Sequence, residues 1–333
     1  MAEATRLPFR GRGPIRSLAW AGDRLVDPAA GGASIGLDGS LKHSFVNWAY
    51  TFDRALATPE ATVLYTALAT KGLVIQSGRR VTREINRSFY HAHQYEYPVT
   101  AGRLFDGTEV LIHCPGGYNR LTIETLREGK PLASATSRAS DLFQSRLRLS
   151  PDGRHLLTAG WVWHPYDVVA VYDLAEALAD GAALDRGYLL PGHAVDAEVE
   201  SACWLTPDQI VVSANPEEEA LDGDSPKALQ PGQIGVWSLR RQEWIARHDY
   251  DGHTGTLEAM GPHVLALFRH PRLLDPFTAA ITGEWPDLAT GHQTSSIMPN
   301  LAPVPPVAVD AANHRFAVAG DREVSVVRLD PAE

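Results

Sequence analysis

Chemistry in this chain would start from a few histidines, a cysteine and a run of aromatic residues in its middle third. His91 and His93 stand at i and i+2, which puts both imidazoles on one side of an extended segment. Joined by His113, and by Glu200 from further along the chain, they make up three or four ligands for a metal with an open position that activates water. No second spaced pair supports that set, and the plain alternative is a group of histidines that hydrogen-bond within a loop. No cofactor is expected. Cys114 follows His113 directly, but neighbours on a strand face opposite ways, so a thiol–imidazole pair needs the backbone to turn at Pro115. The chain has no G-x-S-x-G, P-loop, G-x-G-x-x-G, CxxC or HExxH pattern. Asp222-Gly223-Asp224-Ser225 lacks the remainder of a calcium loop.

The aromatic run is denser. Trp161-Val162-Trp163-His164-Pro165-Tyr166 holds two indoles, an imidazole and a phenol in six residues. Aromatic side chains on loops favour recognition, because they bury much area at small entropic cost and keep a polar handle. Alternation places Trp161 and Trp163 on one side of an extended segment, which predicts one fate for both. That fate is either display on a loop or packing inside the fold.

The elements that must carry these residues are strands. Leu147–Leu149, His155–Ala159 and Val168–Tyr172 are apolar strand candidates, and Ser150-Pro151-Asp152-Gly153 turns the chain between the first two. Proline presets φ at the first corner, aspartate bonds its own backbone, and glycine accepts the dihedral other residues refuse. A short helix is expected over Leu174–Ala179. The same strand–turn–strand grammar recurs about seven times, roughly 48 residues per unit. Thr58-Pro59-Glu60-Ala61 and Thr206-Pro207-Asp208-Gln209 take the place of the SPDG turn in other units. Residues 215–231 form a long polar insertion in the fifth unit, read as a surface loop. In the sixth unit, Val264–Phe268 and Thr278–Ile281 are the later strands.

The SPDG-type turn followed by a Val171-Tyr172-Asp173 strand ending resembles one blade of a WD40- or YVTN-like bacterial-type β-propeller, and the resemblance covers nearly the whole chain. It implies an all-β fold, one domain over residues 1–333, with seven blades whose apolar faces are covered only by their neighbours. The last blade has no obvious outermost strand, and Thr5–Phe9 is expected to supply it and tie the ring shut. The chain departs from strict WD40 grammar, since Trp237 lacks a following Asp and its Gly-His pairs have no matching Asp, so the hydrogen-bonded tetrad of that family is not expected. The resemblance also implies that loops entering each blade, and loops between second and third strands, share one rim. Mapped there, Arg87, Tyr90, His91, His113, Tyr118, Arg146, Trp161, Trp163, His164, Tyr166, Glu198 and Glu200 gather on blades three to five.

A net charge of -10 excludes a general nucleic-acid or anionic-membrane surface. Arg6, Arg10, Arg12 and Arg16 read as a solvated arm. No apolar run reaches the ~18 residues of a membrane span. Two cysteines in apolar strand contexts point to buried thiols in a reducing compartment, hence to a soluble cytoplasmic protein. The expected function is non-enzymatic recognition of a protein or peptide through the aromatic and charged rim. The alternative is an enzyme or small-molecule binder with His91, His113 and His164 as acid/base groups or metal ligands.

Overall fold

The computed structural model describes residues 3–9, 13–76, 80–163, 166–189, 194–217, 220, 225–297 and 304–329. Seven antiparallel sheets follow one another along the chain, and six of them run in simple sequence order from inner to outer strand. The seventh takes Val307–Asp310, Arg315–Ala319 and Glu323–Arg328 from the C-terminal end and its outermost strand, Ala4–Pro8, from the N-terminal end. That strand pairs in register from Ala4 opposite Val327 to Pro8 opposite Glu323. The Phe9 N–H continues the ladder to the Arg322 carbonyl at 2.8 Å. This is a seven-bladed β-propeller. Among the described residues no helix is long and apolar enough to cross a membrane.

The core lies between blades. Each neighbouring pair of blades encloses its own apolar cluster; Val110, Ile112 and Leu121 of blade three, for example, pack against Leu156 and Tyr172 of blade four. Strands buried on both faces explain apolar runs such as Ile210, Val211 and Val212 of Gln209–Ala214, all of them buried. The SPDG turn forms as its residues require. Gly153 takes φ 69°, and its N–H bonds the Ser150 carbonyl at 2.9 Å. The Ser150 hydroxyl donates to Asp152 at 2.6 Å and accepts from the His155 N–H at 2.9 Å. A β-carbon at Gly153 would fall 2.2 Å from the Arg103 carbonyl of blade three, so the turn is also a close contact between blades. Asp173 then caps the helix Leu174–Ala179 by accepting the N–H groups of Ala175 and Glu176.

Blade six differs from the expectation of a strand over Thr278–Ile281. The strands there are Arg272–Leu274 and Ile281–Glu284. Between them Asp275 accepts the Phe277 N–H at 2.8 Å and the Thr278 hydroxyl at 2.9 Å, while Ala279 sits at φ 58°. The Asp-Pro pair starts a turn, and it cuts the preceding strand to three residues. Residues 77–79 lie outside the described residues, as do parts of the 215–231 insertion and of the proline-rich segment 299–306.

The inner strands of blades two to seven, with Ser17 and Leu18 just ahead of the first blade, wall a central channel of about 680 Å³. Its charges are mostly paired. Arg148 of blade four reaches Glu258 of blade six with two bonds of 2.5 Å, and Arg54 lies 3.7 Å from Glu96. Blade four's inner strand is interrupted: Leu142–Phe143 and Arg148–Leu149 both pair with His155–Val162. The break contains Arg146, at φ 46°.

Candidate functional site

In antiparallel blades the loops between second and third strands emerge on the same face as the connections that enter each next blade. On blades three and four these loops build a ladder of rings. Tyr118 stacks on Phe143 with centroids 4.1 Å apart, and Phe143 stacks on Trp161 at 3.8 Å and 9° between planes. Trp163 lies 5.9 Å from Trp161, and Tyr90 lies 5.2 Å from Tyr118. His91 fills the space between them, 4.4 Å from Tyr90 and 5.5 Å from Trp163. The inner rings are enclosed, with Trp161 3% and Phe143 1% exposed, while Trp163 and Tyr90 are each 50% exposed and Phe89 beside them 84%. Tyr118 donates to Asp141 at 2.5 Å, a bond that raises its phenol to about 12.

The two tryptophans therefore share a side but not a depth. The strand ends at Val162 and Trp163 belongs to the turn, so its ring stands at the outer end of the stack. Phe143, the central rung, carries no signal in the sequence because its strand, Leu142–Phe143, is two residues long and too short for alternation to show.

Arg87 works from beneath this surface. Its guanidinium donates to the carbonyls of Ala67, Ala69, Ala92 and Tyr95, and it lies over the rings of Tyr95 and Tyr97 at 4.6 and 5.1 Å. It is buried and holds the loop that presents Tyr90 and His91 in shape. His113 stands elsewhere, buried between blades two and three, 3.0 Å from Glu124, which also pairs with Arg83 at 2.6 Å. His91 and His93 lie on a turn, their rings 6.5 Å apart. The structure does not gather His91, His93, His113 and Glu200, and among the described residues no three His, Cys, Asp or Glu side chains converge as a metal site. The extended backbone assumed for the i, i+2 pair is replaced by a turn with His91 at φ 51°. Cys114 is buried, and burial pushes its thiol far above the range of a nucleophile. Cys203, also buried and free, is pushed up to about 12. His164 lies outside the described residues, and Tyr166 is half-buried at the start of its strand.

Arg146, Glu198 and Glu200 meet in a second, polar group beside the ladder. Arg146 donates to the carbonyls of Ala159 at 2.9 Å and Glu200 at 2.8 Å, bridging blades four and five. Glu198 accepts the Asp167 N–H at 3.0 Å. Asp167, 1% exposed, accepts the N–H of Ser296 and the hydroxyls of Ser295 and Ser296. Burial raises its carboxyl above the usual range against those donors and the Arg146 charge. The two serines lie on the connector from blade six to blade seven. No sequence signal linked them to Asp167.

Glu200 is enclosed and accepts the N–H groups of Gly255 at 2.7 Å and Thr254 at 3.2 Å, with His253 Nδ1 3.4 Å away. The other imidazole nitrogen lies 3.2 Å from Glu217 on the blade-five insertion. Burial raises the Glu200 carboxyl from 4.5 to about 7 although these donors favour its charged form. The folded value lies above the unfolded one, so the native state holds the extra proton between about pH 4.5 and pH 7. The stabilising contribution is therefore full at low pH and is lost as pH rises through about 7. Glu200→Gln should remove that slope. Between about pH 5 and pH 8 the wild type is expected to lose roughly 2–3 kcal/mol that the variant retains. Urea midpoints of both proteins across this interval measure it, and parallel curves would show that Glu200 ionises at an ordinary value.

The fold defines the chain as a seven-bladed propeller with WD40-like architecture. No family model and no curated protein matches it. Among solved structures 945 chains match its fold, so the architecture alone does not select a function. The WD40 domain of Neurospora crassa Pan2 is one, with a TM-score of 0.57 over 96% of this chain and 91% of that one, and 11% identical residues.

Proposed function

We propose that this chain is a non-enzymatic recognition propeller that takes a protein or peptide on the rim of blades three to five. The observation that carries the reading is the stacked ladder, whose inner rings are locked by packing and whose outer rings, Tyr90 and Trp163, face solvent. Rigid aromatic anchors of this kind bury area without a large ordering cost. Arg87 and Arg146 hold the presenting loops, and Glu198 and Glu200 order the polar flank. We also propose that the strand Ala4–Pro8 ties the ring shut, that the blades are of the YVTN-like bacterial type, and that the buried free thiols suit a reducing compartment such as the cytoplasm.

The test is affinity capture with the full chain, identification of the retained protein, and titration of that purified partner. Trp163→Ala should weaken binding about 30-fold, as loss of a central aromatic anchor does, and Tyr90→Ala should weaken it about tenfold. Both variants should melt within about 2 °C of wild type, because both side chains are half-exposed. A partner bound equally by all three proteins would overturn the reading.

A further inference from the structure

The connector between blades six and seven does not stay between them. After Gly291, which bridges to Arg269 of blade six, the chain crosses the mouth of the channel and reaches blades three and four. There Ser295 and Ser296 bond Asp167, 128 and 129 residues away, and Ile297 forms a β-bridge with Tyr95. The Ile297 side chain packs on the cluster of Tyr95, Phe143 and Trp161, the enclosed end of the ladder whose outer end is exposed. Three features of peptide recognition thus coincide in five residues: paired backbone, a buried anchor for hydroxyl and N–H donors, and an apolar pocket.

We infer that residues Gln293–Ile297 occupy in cis the groove in which this rim takes an extended partner segment, and that the partner presents two hydroxyl residues followed by an aliphatic one. The inference rests on the recognition reading above and names the chemistry of its ligand. The Arg146 charge acts on Asp167. One buried Nη2 donor of Arg146 has no partner among the described residues. When the strap leaves, Asp167 therefore keeps a counter-charge until a second segment supplies the donors. A tethered occupant lowers the apparent affinity of a competitor by the fraction of time the groove is free.

The probe is an end-blocked fluorescent peptide with the sequence of residues 292–297, HQTSSI, and its control is HQTAAI. Anisotropy is measured on the full-length wild type and on Ser295→Ala/Ser296→Ala, whose own strap has lost its side-chain anchors. The double variant should bind HQTSSI about ten- to a hundredfold more tightly than wild type does. It should bind HQTAAI at least about tenfold more weakly than HQTSSI. Adding Asp167→Asn should abolish the difference between peptides. If the double variant melts far below wild type, Ser295→Ala alone, which removes one hydroxyl donor at a half-buried position, is put to the same comparison.

Equal binding of HQTSSI by wild type and variant, or binding by neither, would overturn the inference and make the strap a fixed brace. The recognition reading is judged separately, by whether the captured partner depends on Trp163. A Trp163-dependent partner combined with no peptide binding removes the strap proposal alone.

Discussion

A variant lacking residues 1–9 is expected to melt on the order of 10 °C below the full-length protein and to unfold at lower urea. The strand Ala4–Pro8 covers the outer edge of Glu323–Arg328 over five registered pairs. Leu7 and Phe9 are 6% and 3% exposed, in a cluster with Ile15, Leu25 and Ile35 of blade one and Val324 and Val326 of blade seven. Removing both side chains forfeits about 2–3 kcal/mol each, and the bared edge adds to the loss. A deficit of about 5 kcal/mol is a large share of the ~5–15 kcal/mol that holds a domain together. At the 2–4 °C per kcal/mol of chains of about 150–250 residues it is worth about 10–20 °C, and the greater length of this chain brings it to the lower end. Phe9→Ala should reproduce roughly half of the effect. Calorimetry of the three proteins decides it, and a truncated chain that melts within about 2 °C of wild type would make the strand an ornament on a ring already closed.

Trp161→Ala should cost about 3–5 kcal/mol, the range for truncating a fully packed aromatic residue. Its ring lies 3.8 Å from Phe143 and almost parallel to it, and 6.3 Å from Tyr95, so the substitution opens a cavity in the middle of the ladder. Trp163→Ala, two positions on, removes a ring that is half in water and should change stability by less than about 1 kcal/mol. The two variants therefore separate packing from the proposed recognition: the first is expected to lose the fold's margin, the second the proposed partner. Equal destabilisation by both, measured as urea midpoints, would mean that Trp163 is a packing residue and that the exposed end of the ladder is not an anchor.

Much of the fold is legible from local chemistry. The SPDG turn, the helix after Asp173 and most strand positions follow from alternation, caps and turn residues that act over a few positions. The expected pairing of the N-terminal segment with the last blade follows from counting strands, and Ala4–Pro8 lies there. The assignment of Thr278–Ile281 as a strand failed because Asp275-Pro276 starts a turn one strand earlier than the apolar residues suggest. The list of rim residues was legible as types, but not as an arrangement. Tyr90, His91, Tyr118, Trp161 and Trp163 come together, whereas His113 is drawn into an ion-paired contact between blades two and three.

What the amino-acid sequence by itself determined is the repeat: strands of given length, turns of given type, and seven units with faces that need neighbours. Backbone dihedrals and side-chain alternation are local, so they can be read one segment at a time. Only the tertiary structure decided which tryptophan is buried, that Phe143 joins the rings into a stack, and that Ser295 and Ser296 bond Asp167 across the channel. Those choices depend on contacts between residues as many as 129 positions apart, set by how twisted sheets pack around a ring rather than by any preference of the residues themselves.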